Sequence, residues 1–297
     1  MGVQAARRER SITLVGAGNL AHALGPALKA AGYRVEVIAG RGNPESQRRA
    51  AGLARRLRAK AVRVEEIRPV SEIIWLLHTD DALAGTAAML ARNPGWKGKT
   101  VFHSSGALSS DVLAPLKKAG AHTASLHPMM TFVPGTRPDF KQVPFAVEGD
   151  RQAVAVASAV VRKLGTEAFE IGRSAKVLYH ALGSFSSPMI VATLVTAERV
   201  GRAAGLTQAQ TRKVMGPILQ QTLKNYLERG PAAAFSGPIK RGDLETVRRH
   251  LRKLKGVAAA SDVYRALVKS ALRDLPSTSK KELLRLVTTE GTKKNKG

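Results

Sequence analysis

Val15-Gly16-Ala17-Gly18-Asn19-Leu20-Ala21 is the stretch that decides the fold. It reads G-x-G-x-x-A and lies between a β-branched run at 11–15 and an apolar-periodic stretch at 20–31, so it falls at a strand-to-helix turn. Gly16 permits a tight turn, Gly18 lets backbone approach a diphosphate, and Ala21 still allows close packing of helix on sheet. The phosphates would then meet the first N–H groups of the helix, around Asn19 and Leu20, where unpaired donors and the dipole favour negative charge. A second strand at 33–39 ends where this kind of fold reads the adenosine ribose. An NAD site carries Asp or Glu there. This chain has Gly40-Arg41-Gly42-Asn43, with Arg41 23 residues beyond Gly18. A guanidinium at that point suits the extra phosphate of NADP, with Ser46, Arg48 and Arg49 near enough to assist; the competing reading makes Arg41 an ordinary loop residue.

Outward from the motif, strands and helices alternate. A basic helix is expected at 45–59, a weak strand at 61–64, a strand at 73–77 and a helix at 82–91. Then come a strand at 100–103, a helix at 110–119 and a strand at 122–126. Two further strands, 144–147 and 167–171, flank a helical run at 153–164. This alternation predicts an α/β fold, a Rossmann-type doubly wound, mostly parallel sheet. After Gly172 the texture becomes all helical. Residues 174–204 read as one long helix, or as two if Ser187 caps a new helix with Pro188 at its first position. Helices at 208–228, 244–260, 263–272 and 280–287 follow, with a Gly-Pro-rich loop at 230–242. The expected division is a dinucleotide-binding domain over 1–172 and an all-α domain over 173–297, the latter ending in a frayed basic tail at 288–297.

Composition limits the alternatives. The 297 residues are 44% hydrophobic, which excludes a disordered chain, and no Cys excludes disulfides, thiolate zinc sites and a cysteine nucleophile. Redox chemistry therefore needs a borrowed cofactor. Lys and Arg total 48 against 22 Asp and Glu, a formal charge of +26. Such a chain attracts polyanions, so nucleic-acid binding stays a minor alternative. The basic runs at 48–60, at 248–255 and at Lys293, Lys294 and Lys296 have no interleaved aromatics, and they read as solvated faces. The apolar stretches at 153–161 and 189–195 are shorter than a bilayer span and the N-terminus has no signal-peptide core, so a cytoplasmic protein without membrane contact is expected.

Ligands of open α/β sheets lie beyond the carboxyl ends of the strands, which nominates His78-Thr79-Asp80 and His103-Ser104-Ser105-Gly106. Asp80 reads foremost as a helix cap; Ser104 and Ser105 divide between a turn and ligand contact. In the helical half, Lys176, His180, Ser184 and Ser187 recur on one helix face and point to an enclosed polar space, where Lys176 or His180 could give a proton to a carbonyl oxygen. Against this, Lys176 could end the helix in water and His180 could be a satisfied core residue. Arg241 in its Gly-flanked loop could clamp a carboxylate, while Asp243 reads first as a cap.

Gly16-Ala17-Gly18-Asn19-Leu20-Ala21, His103-Ser104-Ser105-Gly106, Leu126-His127-Pro128-Met129, Tyr179-His180-Ala181 and Gly237-Pro238 with Arg241-Gly242-Asp243, Thr246 and His250-Leu251 together resemble one family. It comprises proteins regarded as NADP oxidoreductases, which join a Rossmann-like domain to a helical C-terminal domain of unknown function. It is similar in architecture to pyrroline-carboxylate reductases, β-hydroxyacid dehydrogenases and ketopantoate reductases. The resemblance implies NADP as cofactor and a homodimer formed through the helical domain, and does not fix the substrate; the first hypothesis is reduction of a small carbonyl or imine compound bearing a carboxylate, with His127 among the substrate-binding candidates. Where related dehydrogenases place Asn one turn after the helix Lys, this chain has His180. Where many members have Ser-Asn, it has Ser187-Pro188. These departures keep a second class open, a nucleotide-sensing module without turnover.

Overall fold

The computed structural model describes residues 10–136 and 138–289. The N-terminal segment before Arg10 and the basic tail with Lys293, Lys294 and Lys296 lie outside the described residues. Eight strands form one sheet: β1 (Ser11–Val15), β2 (Arg34–Gly40), β3 (Lys60–Arg63), β4 (Ile73–Leu76), β5 (Thr100–His103), β6 (His122–Pro128), β7 (Phe145–Gly149) and β8 (Ala168–Glu170). Their order is β3-β2-β1-β4-β5-β6-β7-β8, parallel except for the antiparallel pair β6 and β7. The order reverses between β1 and β4, the switch point beside which doubly wound sheets bind ligands.

Alternation along the strands explains why the sheet is covered on both faces. Ile12, Leu14, Ile73 and Trp75 point to one side, where they pack with helices α1 (Asn19–Ala30), α2 (Pro44–Leu57) and, through Val154, Val160 and Val161, a later helix at Arg151–Lys163. Val15, Ile74 and Leu76 point to the other, against α3 (Asp80–Leu90) and α4 (Ala114–Lys118). The Arg151–Lys163 helix is α5. The short α4 is preceded by a 3-10 turn, Ser110–Leu113, where one continuous helix was expected.

The chain divides into two compact units, Met1–Phe185 and Ser186–Gly297. The expected boundary at 172 differs because α6 (Lys176–Ser186) packs with the first unit through the buried Lys176. The remaining helices are α7 (Pro188–Ala203), α8 (Gln208–Arg229), α9 (Pro231–Ala234), α10 (Leu244–Leu254), α11 (Ala260–Asp274) and α12 (Lys280–Thr289). Pro188 does begin a new helix, although Ser187 caps it with no side-chain bond. The helix read at 244–260 stops at Leu254, and Ala259 in the left-handed conformation starts α11. In the second unit Val247, Leu251, Val268, Leu272, Leu283 and Val287 form a small core among α10, α11 and α12.

One expectation about apolar length needs correction. Among the described residues Arg173–Ala203, taken as one helix, is long and apolar enough to cross a membrane by length and composition. Uninterrupted apolar runs had hidden it, because small and polar residues are interspersed. Here it is two helices separated at Ser187, and the ammonium of Lys176 near its start bonds inside the first unit.

Candidate functional site

Two groups of residues gather at the carboxyl ends of the strands in the first unit. The first surrounds the β1–α1 turn. Gly16 has φ +114°, and a Cβ there would come 2.9 Å from both the Leu77 carbonyl oxygen and His78 Cδ2. Only glycine fits this turn. Gly18, by contrast, has φ −75° and is the N-cap of α1 without any side-chain cap, and a Cβ on it would stand in open space. That space belongs to a cavity of about 200 Å³ bordered by Gly18, Arg41, Asn43, Ser46, Arg49 and His78.

Local chemistry fixes its walls. Asn43 caps α2 by accepting from Ser46 N at 2.8 Å, Arg41 N donates to Ser46 Oγ at 2.8 Å, and Gly40 lets the start of α2 come close to β2. Arg49 reaches from α2 to donate to Ala17 O at 3.0 Å and Asn19 Oδ1 at 3.2 Å. Asn19 also donates to Phe132 O at 3.1 Å. Asn19 thus spends its side chain on holding the turn, leaving its backbone for a ligand. Arg41 is exposed, and its charge is felt at His78 and Asp81. His78 Nδ1 pairs with Thr86 Oγ1 at 2.9 Å, but Nε2 is buried with no partner among the described residues. Burial first, then Arg41, lowers the His78 pKa to about 4. Thr79 is the N-cap of α3, so Asp80, expected as the cap, is instead its first residue.

The second group joins β5, β6 and α6. Lys176, only 1% exposed, donates from Nζ to Ser105 O at 2.9 Å and to Ser125 Oγ. Burial lowers its pKa to about 8, against the opposing charges of Glu148 and Asp80. The expectation that Lys176 could end its helix in water is therefore corrected, and so is the picture of His180 as a core residue, since its side chain is exposed. Of the polar positions on α6, Lys176 packs inward as the stripe reading expects and His180 is exposed, while the apolar Val177, Leu178, Leu182 and Phe185 are exposed as well.

Ser104 Oγ accepts from Trp75 Nε1 at 2.8 Å and donates to Leu126 O at 3.1 Å. Ser105 Oγ accepts from Ala107 N and Leu108 N. Both hydroxyls help to shape the loop, as the turn reading expects. His103 is fully buried; Nδ1 accepts from Ser105 N at 3.1 Å, so Nε2 carries the hydrogen and donates to Ser109 O at 3.1 Å. Burial, then Lys176, lowers its pKa to about 3. His127 packs edge-on against Tyr179 and His180 and against Gly106. Burial, then Lys176 and His180, lowers its pKa to about 4.

Ser125 and Tyr179 had no role in the sequence reading. Ser125 carried a usable signal, a hydroxyl at a buried position of a central strand. Ser184 lies on α6, its hydroxyl 3.4 Å from His180 O. In the second unit, Asp243 is the N-cap of α10, accepting from Thr246 N at 3.0 Å and Thr246 Oγ1 at 2.7 Å, as the cap reading required. Arg241 is exposed in the loop before it.

Comparison with known proteins shows the fold to be a recurring one. No curated protein matches the chain. The Bacteroides fragilis protein BF3122, whose name proposes an NADP oxidoreductase, is 24% identical with a TM-score of 0.74 over 88% of this chain and 97% of its own. An imine reductase from Myxococcus stipitatus, solved with NADP+, is 16% identical with a TM-score of 0.64 over 89% and 94% of the two chains. A 1-pyrroline-5-carboxylate reductase from Streptococcus pyogenes is 15% identical, with a TM-score of 0.59 over 88% and 97%. Residues 1–128 match the model of a Rossmann-like domain, and residues 143–271 that of the domain of unknown function DUF2520. The chain thus carries a match to a Rossmann-like domain followed by a match to a DUF2520 domain.

Proposed function

We propose that the protein is an NADP-dependent oxidoreductase that reduces a small carbonyl or imine compound bearing a carboxylate. The observation that carries this reading is the open space beside Gly18 at the uncapped N-terminus of α1, bordered by the cations Arg41 and Arg49. Backbone donors and two guanidiniums suit a dinucleotide with an additional phosphate. The buried, unpartnered His78 Nε2 supports the same reading, since a polar atom in that state fits a hydrogen bond from a bound molecule. When bound, the nicotinamide supplies hydride. Asn19, Leu20 and Arg41 bind and orient the nucleotide, and Thr79 borders its space. Lys176 fixes the 105 loop through the Ser105 carbonyl, His180 stands exposed beside His127, and Arg241 is assigned to the substrate carboxylate.

Calorimetry tests the cofactor half. Arg41→Ala is expected to lose a charge-assisted contact of about 1.5–3 kcal/mol, hence NADPH affinity by roughly 10- to 100-fold, with NADH affinity unchanged. Equal binding of NADPH and NADH by both proteins would remove the basis for NADP preference. Following NADPH absorbance with a panel of carbonyl and imine compounds tests turnover; tight binding without any turnover would leave a sensing module.

The same reading includes a homodimer through the helical unit. Met189, Ile190 and Val191 on α7 and Ile218, Leu223 and Leu227 on α8 are 48–72% exposed, apart from any partner. Burying one such side chain is worth about 1.5–3 kcal/mol, so a second copy presenting the same surface gains much from covering them. Sedimentation equilibrium at micromolar concentration should return a dimer, and Leu223→Glu with Leu227→Glu should return a monomer. A monomeric wild type would overturn this part.

A further inference from the structure

We infer that His127 meets the reacting carbonyl oxygen through Nε2–H, that Tyr179 holds it in the tautomer able to do so, and that the substrate is a neutral or anionic carbonyl compound rather than a protonated imine. The inference rests on the oxidoreductase reading above and goes further by choosing the acid and the substrate class.

His127 is the penultimate residue of β6, at the edge of the sheet where ligands bind. Its ring is held from three sides. Tyr179 and His180 approach edge-on from α6, with ring centroids at 5.6 and 6.2 Å. On the third side is Gly106, where a Cβ would come 2.9 Å from His127 Nε2 and 2.6 Å from His180 Cδ2. Glycine at 106 thus lets both rings stand at the loop that follows β5. Tyr179 Oη lies 3.4 Å from His127 Nδ1. Burial pushes the phenol up to about 12, so it keeps its proton; that proton is assigned to the bond with Nδ1, which puts the ring hydrogen on Nε2. Among the described residues nothing accepts from Nε2. With the hydrogen so assigned, Nε2–H is a donor with its bond unmade.

The surrounding charge selects the partner of that donor. The groups facing His127 are Lys176, Tyr179 and His180 from α6 and His103 from β5, while β7 places Ala146 opposite it. No carboxylate is among them; Glu148 and Asp80 act on Lys176 instead. An oxygen gaining negative charge is stabilised there and an iminium nitrogen is repelled. Carbonyl reduction needs one proton besides the hydride that NADPH gives as it is oxidised to NADP+. The carbonyl carbon accepts the hydride, the C–O π pair moves to oxygen, and oxygen takes the Nε2 proton. Nδ1 takes the phenolic proton, and a proton taken up from solvent restores Tyr179. A protonated imine needs no such donor.

Two measurements on the full chain test this. Imidazole 15N–1H spectra of the protein without nucleotide should show His127 with its hydrogen on Nε2 from pH 6 to 8, and Tyr179→Phe should mix the tautomers. With NADPH at pH 7, His127→Gln should lower kcat at least 100-fold for a 2-oxo acid or aldehyde, with NADPH affinity within twofold. Tyr179→Phe should lower kcat about 10-fold, and a cyclic imine should be reduced more slowly than the best carbonyl compound. Hydrogen on Nδ1 in the wild type, unchanged turnover in His127→Gln, no carbonyl compound reduced, or the imine reduced fastest would each overturn the inference while NADPH still binds. Failure of the wild type to bind NADPH would instead overturn the oxidoreductase reading beneath it.

Discussion

Lowering the pH from 7 to 5 is expected to remove about 6 kcal/mol from the stability of the N-terminal unit, enough to bring many domains close to unfolding. Three histidines drive the loss. His78, His103 and His127 have pKa values lowered from 6.5 to about 4, 3 and 4, chiefly by burial. The folded unit therefore keeps all three neutral where the unfolded chain has already protonated them. Below pH 6.5 the unfolded state binds more protons, and stability falls with pH until the folded values are reached. At pH 5 each histidine costs about 2 kcal/mol. The only tryptophans, Trp75 and Trp96, are buried in this unit, so their fluorescence during urea unfolding at pH 7 and pH 5 reports it directly. His103→Asn, which keeps an acceptor near Nδ1, should shrink the pH difference by about 2 kcal/mol, whatever it does to stability at pH 7. A difference below about 1 kcal/mol in the wild type would show that the three rings are not held neutral.

These same histidines mark where the sequence was legible and where it was not. The strands carried their own signal. Ser11–Val15 and Thr100–His103 are β-branched runs bounded by turn residues, and both fall where the pattern placed them. The β1–α1 turn and the cavity beside Gly18 were legible for the same reason, since the glycines act through local backbone geometry. The second group was not. For Lys176 an enclosed polar space and a helix end in water both stood open, and only the packing of α6 shows its ammonium on the Ser105 carbonyl. The contacts of His103 with Ser109 and of His127 with Tyr179 depend on loops and on residues 52 apart in the chain. No periodicity encodes such pairs. On α6 periodicity marked the polar face that buries Lys176, but it could not say which loop that face meets.

The two glycines of the β1–α1 turn separate folding from binding. Gly18→Ala should leave stability within about 0.5 kcal/mol of wild type. Its φ of −75° and ψ of −175° suit any residue, a Cβ there touches nothing, and the weaker N-cap is offset by the loss of unfolded-state freedom. Yet that methyl would occupy the space assigned to the diphosphate, so NADPH affinity should fall at least about 100-fold, a loss near 3 kcal/mol. Gly16→Ala should fail on both counts. At φ +114° an alanine is strained by about 1–3 kcal/mol, and its Cβ would press on the Leu77 carbonyl oxygen, which is backbone and cannot swing aside. Thermal unfolding paired with NADPH calorimetry distinguishes the two variants. If Gly18→Ala melts like the wild type and still binds NADPH as tightly, the nucleotide does not lie against this turn. The small residue at 18 would then serve only the entry of the chain into α1, and the cations at 41 and 49 would need another anion to explain them.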